Sequence, residues 1–233
     1  MSLTSSQQVN PGFFRTSVLV VLGLVVLSTL AIWGDASFAL RGLLIAAAVA
    51  SYLGSMAWHL ERTGWGRSLL VLVSAFLAGS LWEITHGGFA FGNGAAGAAV
   101  LGVSMCAMLL GHYYLTAPWM SLRPLYQMLV GILLASVVRL GFALFEPNGF
   151  YSAGAASAAV VGSVSHVEWW FYLVLRWIMG IAAPILLSIM AWQTLRLRHT
   201  QAATGILYVV VIMTFIGEAT GIAFTGRMGG HGP

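Results

Sequence analysis

The chain has 233 residues, of which 59% are hydrophobic and only 7% are charged. A soluble domain carries roughly 25% charged residues, and a surface with so few would be too apolar to stay dispersed. This composition excludes an ordinary soluble protein and predicts an integral membrane protein. The formal net charge of +4 comes from arginines that are scattered along the chain and form no basic patch, so we predict no nucleic-acid partner.

Two residue types are informative because they are scarce. All ten basic residues are arginines, so the chain contains no lysine. A retinal Schiff base needs a lysine amine, which excludes a rhodopsin even though seven helices are predicted below. Cys106 is the only cysteine, which excludes an intrachain disulfide and a cysteine-based metal cluster.

Seven segments are long and apolar enough to cross the roughly 30 Å hydrocarbon core of a bilayer as helices. We therefore predict an all-α fold, a polytopic transmembrane helical bundle that forms a single domain over residues 1–233. The fourth segment is the weakest because it is rich in glycine and alanine, although small residues also allow close helix contacts. In chain order the predicted helices span residues 16–34, 38–60, 68–88, 95–116, 123–145, 168–194 and 203–225.

The connections between these segments predict the orientation. With a cytoplasmic N-terminus, six arginines lie on the cytoplasmic side and only Arg41 and Arg227 lie outside, as the positive-inside rule requires. We therefore predict a multi-pass protein of a bacterial inner (cytoplasmic) membrane with its C-terminus outside. The longest connection, residues 147–167, is either a plain external loop or a short re-entrant segment. The six cytoplasmic arginines are Arg15, Arg62, Arg67, Arg123, Arg196 and Arg198.

Four charged residues lie within predicted spans, where a charge costs about 2.5–3.5 kcal/mol on insertion scales and usually faces the bundle interior. His86 lies one helical turn after the first of them. Because alternate helices run in opposite directions, all five residues fall in the outer half of the bilayer at similar depth. They predict a polar pocket that opens outward; the alternative is a pair of buried salt bridges that fix helix packing. The pocket residues are Glu83, His86, Arg139, Arg176 and Glu218.

The pocket hypothesis also predicts a partner for Glu218, which is either Arg139 or Arg176. Thr214 lies one turn before Glu218, and Gly217 and Gly221 form a small-xxx-small pattern that would let another helix backbone approach beside the carboxylate. Removal of one charge alone should therefore be more damaging than removal of both.

Histidines within or near the spans raise the question of haem b, which needs two histidines that face each other from different helices. His59 with His112 is one candidate pair, and His86 with His166 is the other. The alternative is that these histidines lie at the membrane interface or hydrogen-bond a neighbouring helix. Glu83-x-x-His86 is half of a di-iron arrangement, but the second half is missing and nearby arginines would repel a cation. We predict no metal site.

Two function classes fit these features. The first is a membrane subunit of a bacterial redox or energy-conserving system, whose polar pocket receives a quinone head or a haem propionate through arginine or histidine donors. Such a subunit would depend on other membrane subunits as partners, and lipid would surround it. The alternative is a small proton-coupled transporter or channel, in which glutamates exchange protons, an arginine holds an anionic solute, and the Pro184 kink allows motion. A purely structural assembly subunit is the third hypothesis.

Overall fold

All seven predicted helices are present, which confirms the all-α fold class. The computed structural model describes residues 11–34, 36–85, 87–116, 121–145, 171 and 174–229. Seven of its helices are long and apolar enough to cross a membrane. The protein is therefore a polytopic, seven-span membrane protein.

The helices are numbered α1 to α7 in chain order. The sixth begins as a π-helix, Leu175–Ala182, and continues as the α-helix Ala183–Arg196, and the two parts together are called α6. The other six are α1 Pro11–Ala31, α2 Phe38–His59, α3 Thr63–Thr85, α4 Gly88–Thr116, α5 Arg123–Phe145 and α7 Thr200–Gly229.

Several helices begin at other residues than predicted, and two of these differences lie on either side of the connection between α3 and α4. α3 begins at Thr63 rather than at residue 68, and α4 begins at Gly88 rather than at residue 95. The connection between them is short because Gly87, with φ 157°, adopts a backbone conformation that side chains disfavour. The start of α4 packs on α3 through an edge-to-face contact between Phe91 and Trp82, with ring centroids 5.5 Å apart. The first turns of α4 therefore pack on α3 through an aromatic contact, although their small residues alone did not predict a helix there.

The chain forms two compact units. Unit 1 comprises Met1–Ala95 and Ala117–Pro124, and unit 2 comprises Ala96–Thr116 and Leu125–Pro233. In unit 1, α2 packs against both α1 and α3. A buried cluster of Val25, Leu40, Leu44 and Ala47 joins the first two helices, and Phe76 of α3 packs against it.

Unit 2 contains α4 from Ala96 onward together with α5, α6 and α7. The buried residues of α5 recur every three or four positions, which places them on one face of the helix. Two charged or polar residues, Ser136 and Arg139, belong to this otherwise apolar face. Its members include Leu125, Met128, Leu129, Ile132, Ser136, Arg139 and Ala143.

Glycines determine how closely the helices of unit 2 approach. A β-carbon added at Gly131 of α5 would lie 3.1 Å from the Val103 side chain of α4, and one added at Gly111 of α4 would lie 3.0 Å from Thr204 Oγ1 of α7. Without a hydrophobic force between helices in lipid, such close packing is what holds a membrane bundle together. The same contacts determine how far α4, α5 and α7 are shifted along one another.

Candidate functional site

Arg139 and Glu218 form a two-pronged ion pair inside unit 2. Arg139 Nε donates to Glu218 Oε1 at 2.8 Å, and Arg139 Nη2 donates to Glu218 Oε2 at 3.0 Å. The exposed fractions of the two side chains are only 9% and 18%. Parallel N–H···O bonds between a guanidinium and a carboxylate are among the stronger hydrogen bonds in proteins. The charges that would be costly alone therefore neutralise each other across α5 and α7.

Gly97 of α4 leaves the space that the carboxylate occupies. A β-carbon added at Gly97 would overlap the Glu218 side chain, only 2.8 Å from Cδ. Any larger residue would push the carboxylate away from Arg139. Three helices therefore position this ion pair: α5 supplies the cation, α7 supplies the anion, and α4 supplies the gap.

A fourth helix touches α7 directly beside the carboxylate. Gly180 of α6 and Gly217 of α7 meet backbone to backbone, and a β-carbon added at Gly180 would lie 3.2 Å from Gly217 Cα. Gly217 immediately precedes Glu218 in the chain. This contact confirms that Gly217 lets another backbone approach, whereas an added β-carbon at Gly221 would meet nothing within 4 Å. We call Arg139, Glu218, Gly97, Gly180 and Gly217 the ion-pair site.

Gly180 lies in the π-helical part of α6, and the sequence explains why the helix departs from α geometry there. Pro184 has no backbone N–H and its ring would clash with the carbonyl of Gly180, four residues earlier. The chain instead forms wider turns over Leu175–Ala182, in which the backbone N–H of Ala183 donates to the Ile178 carbonyl. Pro184 signals a kink from sequence, but the π-helix itself was not predicted. Such segments frequently occur at functional sites.

The five residues of the predicted pocket are distributed over both units. Arg139, Arg176 and Glu218 belong to unit 2, and Glu83 belongs to unit 1. Arg176 lies half-buried in the π-helical part of α6, whereas Glu83 is exposed near the end of α3. His86 lies outside the described residues. Of the two candidate partners for Glu218, the structure pairs Arg139 with it. A cavity common to all five residues stays a prediction.

The histidines proposed as haem ligands have different surroundings. Arg15 Nη1 lies 3.1 Å from His59 Nδ1. Because a guanidinium can only donate, this contact is a hydrogen bond in the tautomer whose ring proton lies on Nε2. His112 is exposed on α4, and His166, like His86, lies outside the described residues. Haem ligation stays a prediction, and within the described ranges no group of three or more His, Cys, Asp or Glu side chains is arranged to hold a metal ion.

Sequence reasoning missed a set of buried serines in unit 2. Ser104 of α4, Ser136 of α5 and Ser188 of α6 are each at most 1% exposed. Their hydroxyl oxygens have no hydrogen-bond partner within the part of the chain that the structure describes. Leaving a buried polar group unpaired costs about 1–3 kcal/mol. The signal in the sequence was the seven-residue spacing of Gly97, Ser104 and Gly111, which places all three on one face of α4.

The ion-pair site thus combines a neutralised charge pair, glycine contacts on two sides and an adjoining π-helix. Chemically, the carboxylate and the guanidinium neutralise each other, so loss of the carboxylate charge would release two hydrogen-bond donors of Arg139. Comparisons of the chain with protein-family models, with curated proteins and with solved structures found no match.

Proposed function

We propose that this seven-span protein is a small proton-coupled transporter in which Glu218 binds the coupled proton. The observation that carries the proposal is the buried, two-pronged Arg139–Glu218 pair. Ionisable residues inside the membrane commonly mark proton relays and solute paths. An anionic solute is the substrate class that a released guanidinium would bind.

The pair suits a two-state cycle. In the paired state Glu218 is charged and occupies two donors of Arg139. When Glu218 takes up a proton, its charge disappears and the guanidinium donors become available to a carboxylate or phosphate group of the solute. When Glu218 loses the proton, its carboxylate would compete with the solute for Arg139 and favour release of the solute. Each state thus excludes the other, which couples proton binding to solute binding.

The surroundings of the pair support movement between these states. The π-helical part of α6 contacts α7 at Gly180 and Gly217, one residue from the carboxylate. Backbone contact without intervening side chains lets one helix slide or rotate against the other. Helix shifts of this kind are a standard way to open and close a buried site.

The same geometry gives less support to the redox-subunit hypothesis. A quinone carbonyl or a haem propionate would need donors of Arg139 that Glu218 already occupies. His59, one of the proposed iron ligands, is already in contact with Arg15 through Nδ1. Haem ligation through Nε2 would need this contact to be rearranged.

We propose the orientation that the arginines predict, with the N-terminus in the bacterial cytoplasm and the C-terminus outside. Lipid is expected to cover the many apolar side chains that are exposed on the helices. In this orientation the ion-pair site lies in the outer half of the membrane, nearer the compartment from which a proton gradient would deliver protons.

The test uses purified protein in liposomes that contain a pH-sensitive dye. Gradients of monocarboxylates, dicarboxylates and phosphate are imposed one at a time, and we expect at least one of them to drive proton movement. Glu218→Gln should abolish that movement. Glu61→Gln, which changes an exposed carboxylate in the turn between α2 and α3, is the matched control and should leave it unchanged.

Two results would count against the proposal. Wild-type protein that moves no protons with any of these anions would refute it. A Soret absorption band or stoichiometric quinone in protein from native membranes would favour the redox-subunit hypothesis instead.

A further inference from the structure

A buried aromatic stack joins the three helices of unit 1 near one end. The rings of Phe14 in α1 and Trp58 in α2 stack with centroids 4.5 Å apart and an interplanar angle of 13°. Gly66 of α3 packs on the same indole, because an added β-carbon there would lie only 2.7 Å from Trp58 Nε1. The stack therefore fixes the three helices against one another at the level where α1 begins and α2 ends.

Two basic side chains lie directly beside this stack. Arg15 follows Phe14 in the chain, His59 follows Trp58, and both are exposed. Arg15 Nη1 lies 3.1 Å from His59 Nδ1. This contact involves one of the five N–H donors of the guanidinium, and in the tautomer with the ring proton on Nε2 the imidazole offers a further donor. The two helices thus present a group of nitrogen donors at one point of the surface.

The charge near this pair favours an anion. The turn that follows His59 contains one exposed carboxylate, Glu61, and one exposed guanidinium, Arg62. These two charges offset each other, and Glu61 forms no ion pair with Arg15 or His59. Arg15 therefore leaves this end of α1 and α2 positive. Arginine with a second donor is a common binding group for phosphate oxygens.

Exposed apolar side chains continue from the basic pair along both helices. On α1 they follow Arg15 by one and three helical turns, and on α2 they precede His59 by one, two and four turns. Because α1 begins where α2 ends, both rows run from the basic pair toward the middle of the bilayer, on either side of the α1–α2 contact. The apolar residues, each between 41% and 54% exposed, are Leu19 and Val26 on α1 and Met56, Tyr52 and Ile45 on α2.

We propose that Arg15 and His59 bind the phosphate group of an anionic phospholipid whose acyl chains lie along these apolar rows. Basic sites between transmembrane helices bind the head groups of anionic lipids in this way. The apolar rows favour a lipid over a free phosphate ion, because they continue from the phosphate-binding donors into the hydrocarbon region. The site lies in unit 1 and does not depend on proton or solute movement at the Arg139–Glu218 pair.

Native mass spectrometry of the full-length protein in detergent can count bound lipid. The probes are phosphatidylglycerol, which is anionic, and phosphatidylcholine with the same acyl chains, which is neutral overall. We expect the first bound phosphatidylglycerol to have a Kd at least about tenfold lower than that of phosphatidylcholine, because positive side chains near a membrane surface attract anionic lipids. Equal Kd values in the wild type would overturn the proposal without any variant.

Arg15→Gln should raise the Kd for phosphatidylglycerol about fivefold, as expected for one basic side chain near a membrane surface, and leave phosphatidylcholine unchanged. His59→Ala in addition should raise it further. Both side chains are exposed, so the variants should keep the wild-type circular dichroism spectrum. Arg198→Gln with His199→Ala is the matched control, because it changes an exposed arginine and histidine in the turn between α6 and α7.

Three results would contradict the site. An equal rise in Kd for the control variant would show that any arginine and histidine suffice. An unchanged Kd in the Arg15→Gln, His59→Ala variant would show that their contact only joins α1 to α2. Millimolar inorganic phosphate or glycerophosphoglycerol, which lack acyl chains, should not displace the bound lipid. Displacement by either would show a site for free anions rather than for a phospholipid.

Discussion

Removing one charge of the Arg139–Glu218 pair should destabilise the protein more than removing both. Glu218→Gln removes the carboxylate charge that accepts two hydrogen bonds from a guanidinium whose side chain is 9% exposed. Breaking a buried pair in this way costs about 3–5 kcal/mol. Because each 1.4 kcal/mol is a factor of ten, the folded-to-unfolded ratio should fall by roughly two to four powers of ten. Adding Arg139→Gln to this change should recover much of the loss, since two neutral amides replace the pair.

Unfolding by sodium dodecyl sulfate in mixed micelles, followed by far-ultraviolet circular dichroism, gives the free energies of the wild type, the two single variants and the double variant. A double variant no more stable than Glu218→Gln would refute the pairing argument.

Two further predictions concern the glycine gap and the topology. Gly97→Ala should cost about 1–3 kcal/mol and reduce proton movement, because the added methyl overlaps the Glu218 carboxylate. Gly102→Ala, whose added β-carbon would meet nothing within 4 Å, should change stability by no more than about 1 kcal/mol, and equal effects of the two changes would contradict the role of the gap. A reporter fused after Pro233 should be active only outside the cytoplasm, and activity confined to the cytoplasm would reverse the proposed orientation.

Span number and intramembrane charge were predictable from sequence because each depends on local composition. A run of about 20 apolar residues must cross the bilayer, and Arg139 and Glu218 stand out within such runs. The choice between Arg139 and Arg176 as the partner of Glu218 was not predictable. It depends on how α5, α6 and α7 are rotated and shifted against one another.

The rotation of each helix is determined by contacts between helices, which the sequence of one helix alone does not specify. Gly97 is one of six glycines in α4 that look alike in the sequence, and only its position opposite Glu218 distinguishes it. The π-helix before Pro184 is a similar case. A proline predicts a disturbed helix, but it does not predict which wider turn the chain adopts. The buried serines were not predicted because a serine carries no charge that marks it within an apolar span, although an unpaired hydroxyl is also costly in the bilayer core.

The small net stability of a buried ion pair is what suits it to a switch. Desolvation offsets much of the attraction between a guanidinium and a carboxylate, so a paired site and a neutral one differ by only a few kcal/mol. A proton or a solute can shift such a balance, because moving an equilibrium from 1:99 to 99:1 takes only about 5.5 kcal/mol of differential binding. In the paired state, Gly97 leaves the space in which the carboxylate lies, and this packing adds nothing to the electrostatic bias. Helix contacts thus set where the charge lies, and protonation is left to determine whether Arg139 holds Glu218 or an anion.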